Sequence, residues 1–278
     1  ESGLVIESGT LYGIDKTWFA ENNPSKGTLY LSVILPNTVT SIAMDGLKDS
    51  YTTEKKKYGA VTYVDKLGSF SLSALDCSLA TNLTTIGNQA FQNAKLTGVL
   101  DLSPTQVTTI GKSAFSGCSS LTGVVLPDTL EALGEKSQGT GSVFNGCSSL
   151  EYIRLGDSSE DTIFELPDTL TYIGKQTFKD CFADGINAQV VIPATVEVIG
   201  SEAFYSKRIS QMIVSRQGDG WDPQLTNYDT AAFKTGNADL LVVFKDQTSY
   251  VDYTAGRSFT SAVKNALAYP LTITFYDT

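Results

Sequence analysis

The chain has 278 residues, 41% of them hydrophobic and 18% charged, with a formal net charge of −10 and no histidine. This balance describes a folded, soluble protein and argues against nucleic acid or an anionic membrane surface as a partner. The lack of histidine excludes His-based triads, His general bases and the usual zinc sites.

No stretch approaches the roughly 18 apolar residues that span a bilayer, so no direct membrane insertion is expected. The chain opens Glu1-Ser2-Gly3 without a hydrophobic signal core, which is compatible with a leader removed upstream. Residues 1–30 are expected to form an irregular N-terminal cap. In it Leu4-Val5-Ile6 and Thr10-Leu11-Tyr12-Gly13-Ile14 make short strands, ahead of turn signals at Asn22-Asn23-Pro24 and Ser25-Lys26-Gly27.

Residues 31–245 are repetitive. Val33-Ile34-Leu35-Pro36 is the first repeat strand, and its copy degenerates into a polar insertion ending Lys55-Lys56-Lys57, read as a solvated loop. The fullest copy runs from Ile110 to Pro127. Ile110, Ala114, Phe115 and Cys118 have the spacing of one face of a short helix, and Leu121, Val124 and Leu126 then turn to strand spacing. Pro127, with no N–H to donate, ends the ladder.

The same signature returns at 83–91, 170–178 and 196–204, and isoleucine-to-isoleucine distances are 24 from Ile86 to Ile110 and 26 from Ile173 to Ile199. One such unit cannot bury its apolar face alone, so the copies are expected to stack as a solenoid. The predicted fold is α/β: about seven coils of 23–26 residues, with short strands and short helical turns. One copy carries a Gly/Ser-rich insertion before Phe144, and another an acidic insertion from Gly156 to Thr162. A worn copy from Pro223 to Phe233 leads to a strand at Leu241-Val242-Val243-Phe244. Residues 246–278 read as a C-terminal cap, with a helix from Ser258 to Ala268 and an edge strand from Leu271 to Tyr276.

Each recurrent slot has a mechanical reading. Gly87, Gly111, Gly134, Gly174 and Gly200 stand where a side chain would collide with the neighbouring coil. Gly117 and Gly146 suit left-handed helix C-caps, and the phenylalanines should form a stacked column. Cys77, Cys118, Cys147 and Cys181 match no zinc or redox spacing and read as small buried hydrophobes rather than disulfide partners.

The order Ile-Gly-x-x-Ala-Phe-x-x-Cys-x-x-Leu-x-x-Val-x-Leu-Pro, repeated over about residues 30–245, resembles the BspA-like leucine-rich repeats. The resemblance implies a bacterial surface or secreted protein, adhesin-like, with a host or bacterial surface protein as partner, an extracellular or outer-surface location, and no shared active site. The chain departs from the pattern at Ala43, in place of the glycine, and at Ala94, in place of the cysteine.

Several candidate sites follow from the residues. If Val124 and Leu126 point inward, Val125 points outward, and the same register turns Ile34, Asp101, Arg154, Val191, Ile213 and Val243 outward as a partner-binding strip. The competing reading is plain β-propensity. Trp221, between carboxylates in Gly220-Trp221-Asp222, is a candidate for stacking on a sugar or for anchoring its own loop. Asp157, Glu160 and Asp161 form a weak calcium candidate against a solvated acidic loop. Gly134 to Gly141 lacks the lysine and the context of a phosphate loop. No cofactor and no catalysis are expected, and the functional reading is a non-catalytic scaffold that recognises a protein partner, with glycan binding or a structural spacer as alternatives.

Overall fold

The computed structural model describes residues 3–48, 69–159, 161–214, 227–228, 237 and 241–244. The chain begins with the antiparallel hairpin β1 (Leu4–Glu7) and β2 (Thr10–Ile14), helix α1 (Lys16–Asn22) and strand β3 (Thr28–Ile34). From there two kinds of strand alternate. Short ones are β4 (Ser41–Ile42), then β6 (Thr85–Ile86) and β8 (Thr109–Ile110) after the longer β5 (Ser69–Asp76) and β7 (Gly98–Asp101) respectively. The series continues with β9 (Leu121–Leu126), β10 (Ala132–Leu133), β11 (Tyr152–Leu155), β12 (Tyr172–Ile173), β13 (Ala188–Ile192) and β14 (Val198–Ile199). It ends with β15 (Ile209–Val214), β16 (Asn227–Tyr228) and β17 (Leu241–Phe244).

The short strands form one sheet in the order β1-β2-β4-β6-β8-β10-β12-β14-β16, parallel from β2 onward. The longer strands form three parallel groups, β3-β5, β7-β9-β11 and β13-β15-β17. Each repeat therefore contributes one rung to each side, and its core residues lie between. The short sheet explains the Ile-Gly pair. Leu11, Ile42, Ile86, Ile110, Leu133, Ile173 and Ile199 are all buried, and each following residue donates its N–H to the preceding rung, as Gly111 does to the Ile86 carbonyl at 2.8 Å. A Cβ on Gly87 would stand 2.6 Å from the Ile42 carbonyl oxygen, and one on Gly111 2.6 Å from the Asn88 nitrogen. Backbones approach there too closely for any side chain.

The short helical turns expected between the two sides do not form; α1, in the N-terminal cap, is the only α-helix among the described residues. The repeats use linked turns whose N–H groups reach sideways. Gln89, Phe91 and Asn93 donate to Lys112, Ala114 and Ser116, each at 2.8 Å, and Ser113, Phe115 and Gly117 donate onward to Gly141, Val143 and Asn145. A helix would use those donors internally, four residues back. Residues at every fourth position take positive φ instead, 56° at Gln89, 62° at Asn93, 54° at Ser113 and 77° at Gly117, turning the amides toward the next repeat. Gly117 and Gly146 are thus left-handed, as expected, but cap no helix.

The phenylalanine column is present. Phe91, Phe115, Phe144, Phe178 and Phe204 stack with ring centroids 5.0, 5.6, 6.0 and 5.4 Å apart. All four cysteines are buried and unbridged. Three also make a directional contact: the Sγ atoms of Cys118, Cys147 and Cys181 donate to the carbonyls of Phe91, Phe115 and Phe144 one repeat back, at 3.1–3.3 Å. At the N-terminal end Phe19 of α1 meets Phe70 edge-on, 6.2 Å between centroids, which makes the cap more ordered than its sequence implied.

The two insertions behave differently. Glu135 to Thr140 closes on itself through a bridge between its end residues and a turn of 3₁₀-helix, Lys136–Gln138. Ser113 still donates to the Gly141 carbonyl and Ser142 to Lys175, so the ladder runs past the loop undisturbed. After β11 the acidic insertion instead returns the chain beside itself. Ile153 pairs with Phe164 and Phe164 with Val190, which adds a one-residue rung between β11 and β13. The C-terminal helix and edge strand expected within 246–278, and the basic run at 55–57, lie outside the described residues.

Candidate functional site

The long-strand side carries the candidate surface. Parallel pairing sets residues of equal phase side by side, so one pleat position recurs as a row across the strands. Asp101 pairs with Val125 and Val125 with Arg154, while Val191 pairs with Ile213 and Ile213 with Val243. Ile34 pairs with Asp76 at the N-terminal end. The inner neighbours Leu100, Val124, Ile153, Val190 and Met212 are buried, which turns this row outward. Val191 is 39% exposed and Ile34 58%, whereas Val125, Arg154 and Ile213 are half-buried. For Val243 the backbone placement alone is described, and Trp221 lies outside the described residues.

The row is less apolar than the sequence pattern indicated. Asp76 belongs to it, and because Phe164 bridges Ile153 and Val190, Glu165 falls between Arg154 and Val191. No spacing rule could find Glu165, since the extra rung has no counterpart in other repeats. An uninterrupted apolar run remains at Val191–Ile213–Val243 on one sheet; charges separate it from Val125. Arg154 is also partly committed: its guanidinium carbon lies 4.3 Å from the centroid of the Tyr152 ring, and Nη1 donates to the Ser159 carbonyl at 3.2 Å. Both contacts fasten the acidic loop, as does the hydrogen bond from the Ser158 hydroxyl to Glu165 Oε2.

A second outward row lies two residues back, where Val99 pairs with Gly123 and Gly123 with Tyr152. A side chain on Gly123 would collide with the Tyr152 ring, so this glycine makes the space over which the ring lies. Val99 stands 47% exposed beside it. Tyr152 and Val99 were missed because only one phase of the strand was followed.

The calcium candidate is not assembled. Asp157 and Asp161 are exposed, Glu160 lies outside the described residues, and among the described residues no three His, Cys, Asp or Glu side chains are grouped to hold a metal. The Glu135–Thr140 loop follows a two-residue strand and lies against the next repeat, where the Tyr172 hydroxyl donates to the Thr140 carbonyl at 3.1 Å, so it has no phosphate-loop geometry. An open polar cleft of about 470 Å³ is bordered by Asp180, Phe182, Asp184, Tyr205 and Arg208. Asp184 there is 95% exposed and ion-paired with Arg208, so the cleft presents no buried acid.

Thiol chemistry is suppressed by burial. Desolvation, with help from the nearby Asp76 and Asp101 carboxylates, pushes the Cys77 thiol up to about 12, and burial likewise raises those of Cys147 and Cys181. Asp76 moves the other way, held low by hydrogen bonds from the Ser78 side chain and backbone N–H.

A family model described as BspA type Leucine rich repeat region matches in six copies, over residues 12–104, 84–215 and 157–249. No curated protein matches the chain. Among solved structures, the chain is similar to a leucine-rich repeat protein from Bacteroides ovatus at 17% identity, over 86% of this chain and 68% of that one, with a TM-score of 0.39. It is also similar to the pneumococcal vaccine antigen PcpA at 13% identity, over 89% of this chain and 79% of that one, with a TM-score of 0.30.

Proposed function

From a chain that belongs to the BspA-type leucine-rich repeat family, we infer a non-catalytic scaffold, displayed on the cell surface or secreted, that binds a protein partner through its long-strand face. The repeats in this reading form a solenoid of about seven coils. One observation carries the binding assignment: of the six large hydrophobic side chains standing exposed among the described residues, Tyr30, Ile34, Val99 and Val191 occupy outward positions on the long strands. Scattered exposed apolar residues need no explanation, but residues gathered on one regular face suit protein contact. Asp101, Arg154 and Glu165 between them supply polar selectivity.

Adhesion to host epithelial cells and to bacterial cells tests this reading, with the targets treated beforehand with protease or with glycosidases. Loss after protease treatment, and loss with Val99→Asp/Val191→Asp in a protein of unchanged melting temperature, is the expected result. Sensitivity to glycosidase alone would transfer the function to a sugar, with Trp221 the first residue to examine. Binding unaffected by the double substitution would remove the long-strand face.

A further inference from the structure

Strand β3 ends the long-strand side toward the N-terminus. Among the described residues β5 is the only strand paired with it, so the N–H and C=O groups along its other edge meet no strand there. The hairpin partner β1 closes the same end of the short-strand sheet, and α1 covers core at Phe70, but neither adds a rung to β3. Edge strands are commonly protected by charge, proline or brevity. Residues Thr28–Ile34 contain no charge and no proline, and at seven residues β3 is one of the longest strands in the chain.

We propose that β3 is a self-association edge, at which two copies of this chain pair β3 antiparallel to β3 about a two-fold axis, continuing the long-strand sheet from one molecule into the other. Charge placement selects both the occupant and the direction. Lys26 precedes the strand, while Asp76 lies beside Ile34 at its far end. Antiparallel pairing brings the Lys26 end of each copy to the Asp76 end of the other, twice by symmetry; parallel pairing would set like against like. A chain of net charge −10 repels its copies in general, and this uncharged strand between opposite charges is where that repulsion is locally relieved. The two most exposed large hydrophobics among the described residues, Tyr30 at 68% and Ile34 at 58%, both stand on β3 and would become cross-strand neighbours in the pair. The interface is isologous, so it closes as a dimer and forms no filament.

Sedimentation velocity over a range of concentrations, on the 278-residue chain, tests the proposal. The wild type should show a concentration-dependent dimer, and Tyr30→Lys/Ile34→Lys, which places four cations at the two-fold axis, should be monomeric with unchanged circular dichroism. Lys26→Glu should raise the dimer dissociation constant about tenfold, and adding Asp76→Lys should restore it. A wild type monomeric at every concentration reached overturns the proposal, as does a dimer that survives Tyr30→Lys/Ile34→Lys. Cross-links joining β3 to residues 49–68 of its own chain would overturn it as well.

Discussion

Phe115 makes the residue-scale argument most directly. It is fully buried, stacks on Phe91 and Phe144, donates its N–H to Val143, and its own carbonyl accepts from Cys147. Phe115→Ala removes ring contact with both neighbouring repeats at once and is expected to cost about 3–5 kcal/mol in urea unfolding. Gly111→Ala acts through backbone. Its new methyl would meet Asn88 nitrogen at 2.6 Å, and separating two rungs is expected to cost about 1–3 kcal/mol on the overpacking scale. The thiols add a pH dependence. Cys77 ionises near 12 when folded and at an ordinary thiol pKa when unfolded, so the unfolded chain loses its proton first. Stability is therefore retained below the ordinary thiol pKa and falls as pH rises from there toward 12. Urea midpoints across that range, compared with Cys77→Ala, measure it. At neutral pH the native cysteines should resist a thiol reagent that labels all four after unfolding.

At the scale of elements, the turn between the two sides of a repeat is held by its neighbours. Its donors go to the next repeat, so an isolated repeat would leave them to water and has no reason to keep this shape. The Glu135–Thr140 loop is an appendage by the same logic, because the hydrogen bonds at Ser113 and Ser142 bypass it. Deleting residues 135–140 should leave circular dichroism unchanged and lower the melting temperature only slightly. The main loss would be the Tyr172 hydroxyl's contact with the Thr140 carbonyl. A collapse of the fold on deletion would show that the loop, and not the ladder, organises that repeat. Phe164 is the opposite case. Its ring meets Phe178, Phe182 and Phe204 at 4.9, 5.2 and 6.1 Å, so the acidic insertion ends in core and cannot be trimmed past that residue.

Over the whole molecule, stability accumulates between adjacent repeats. Phe115→Ala and Phe144→Ala share a ring contact at 5.6 Å, and their combined cost should depart from the sum, whereas Phe91→Ala and Phe204→Ala, at opposite ends of the column, should add. Equilibrium unfolding of the four single and two double variants decides this. Additivity in the first pair would show that the column is not energetically continuous. The long-strand face is similarly a property of the assembled stack: Val191, Ile213 and Val243 come from three repeats and adjoin only because the strands pair in register.

The repeat, its apolar columns, the collision at each glycine and the outward phase of Val125, Arg154 and Val191 were legible in the amino-acid sequence alone. Each depends on a periodicity that a single strand or turn already expresses. The linked turns were not legible, because helix and turn present the same apolar spacing at Ile110, Ala114 and Phe115, and the choice depends on where Gln89 and Phe91 send their N–H groups. Glu165 joined the outward row for a similar reason: its neighbours were decided by how the acidic insertion turned back on Ile153. Local sequence determined which face each residue presents. Only packing between repeats decided which hydrogen bonds and which neighbours that face would have.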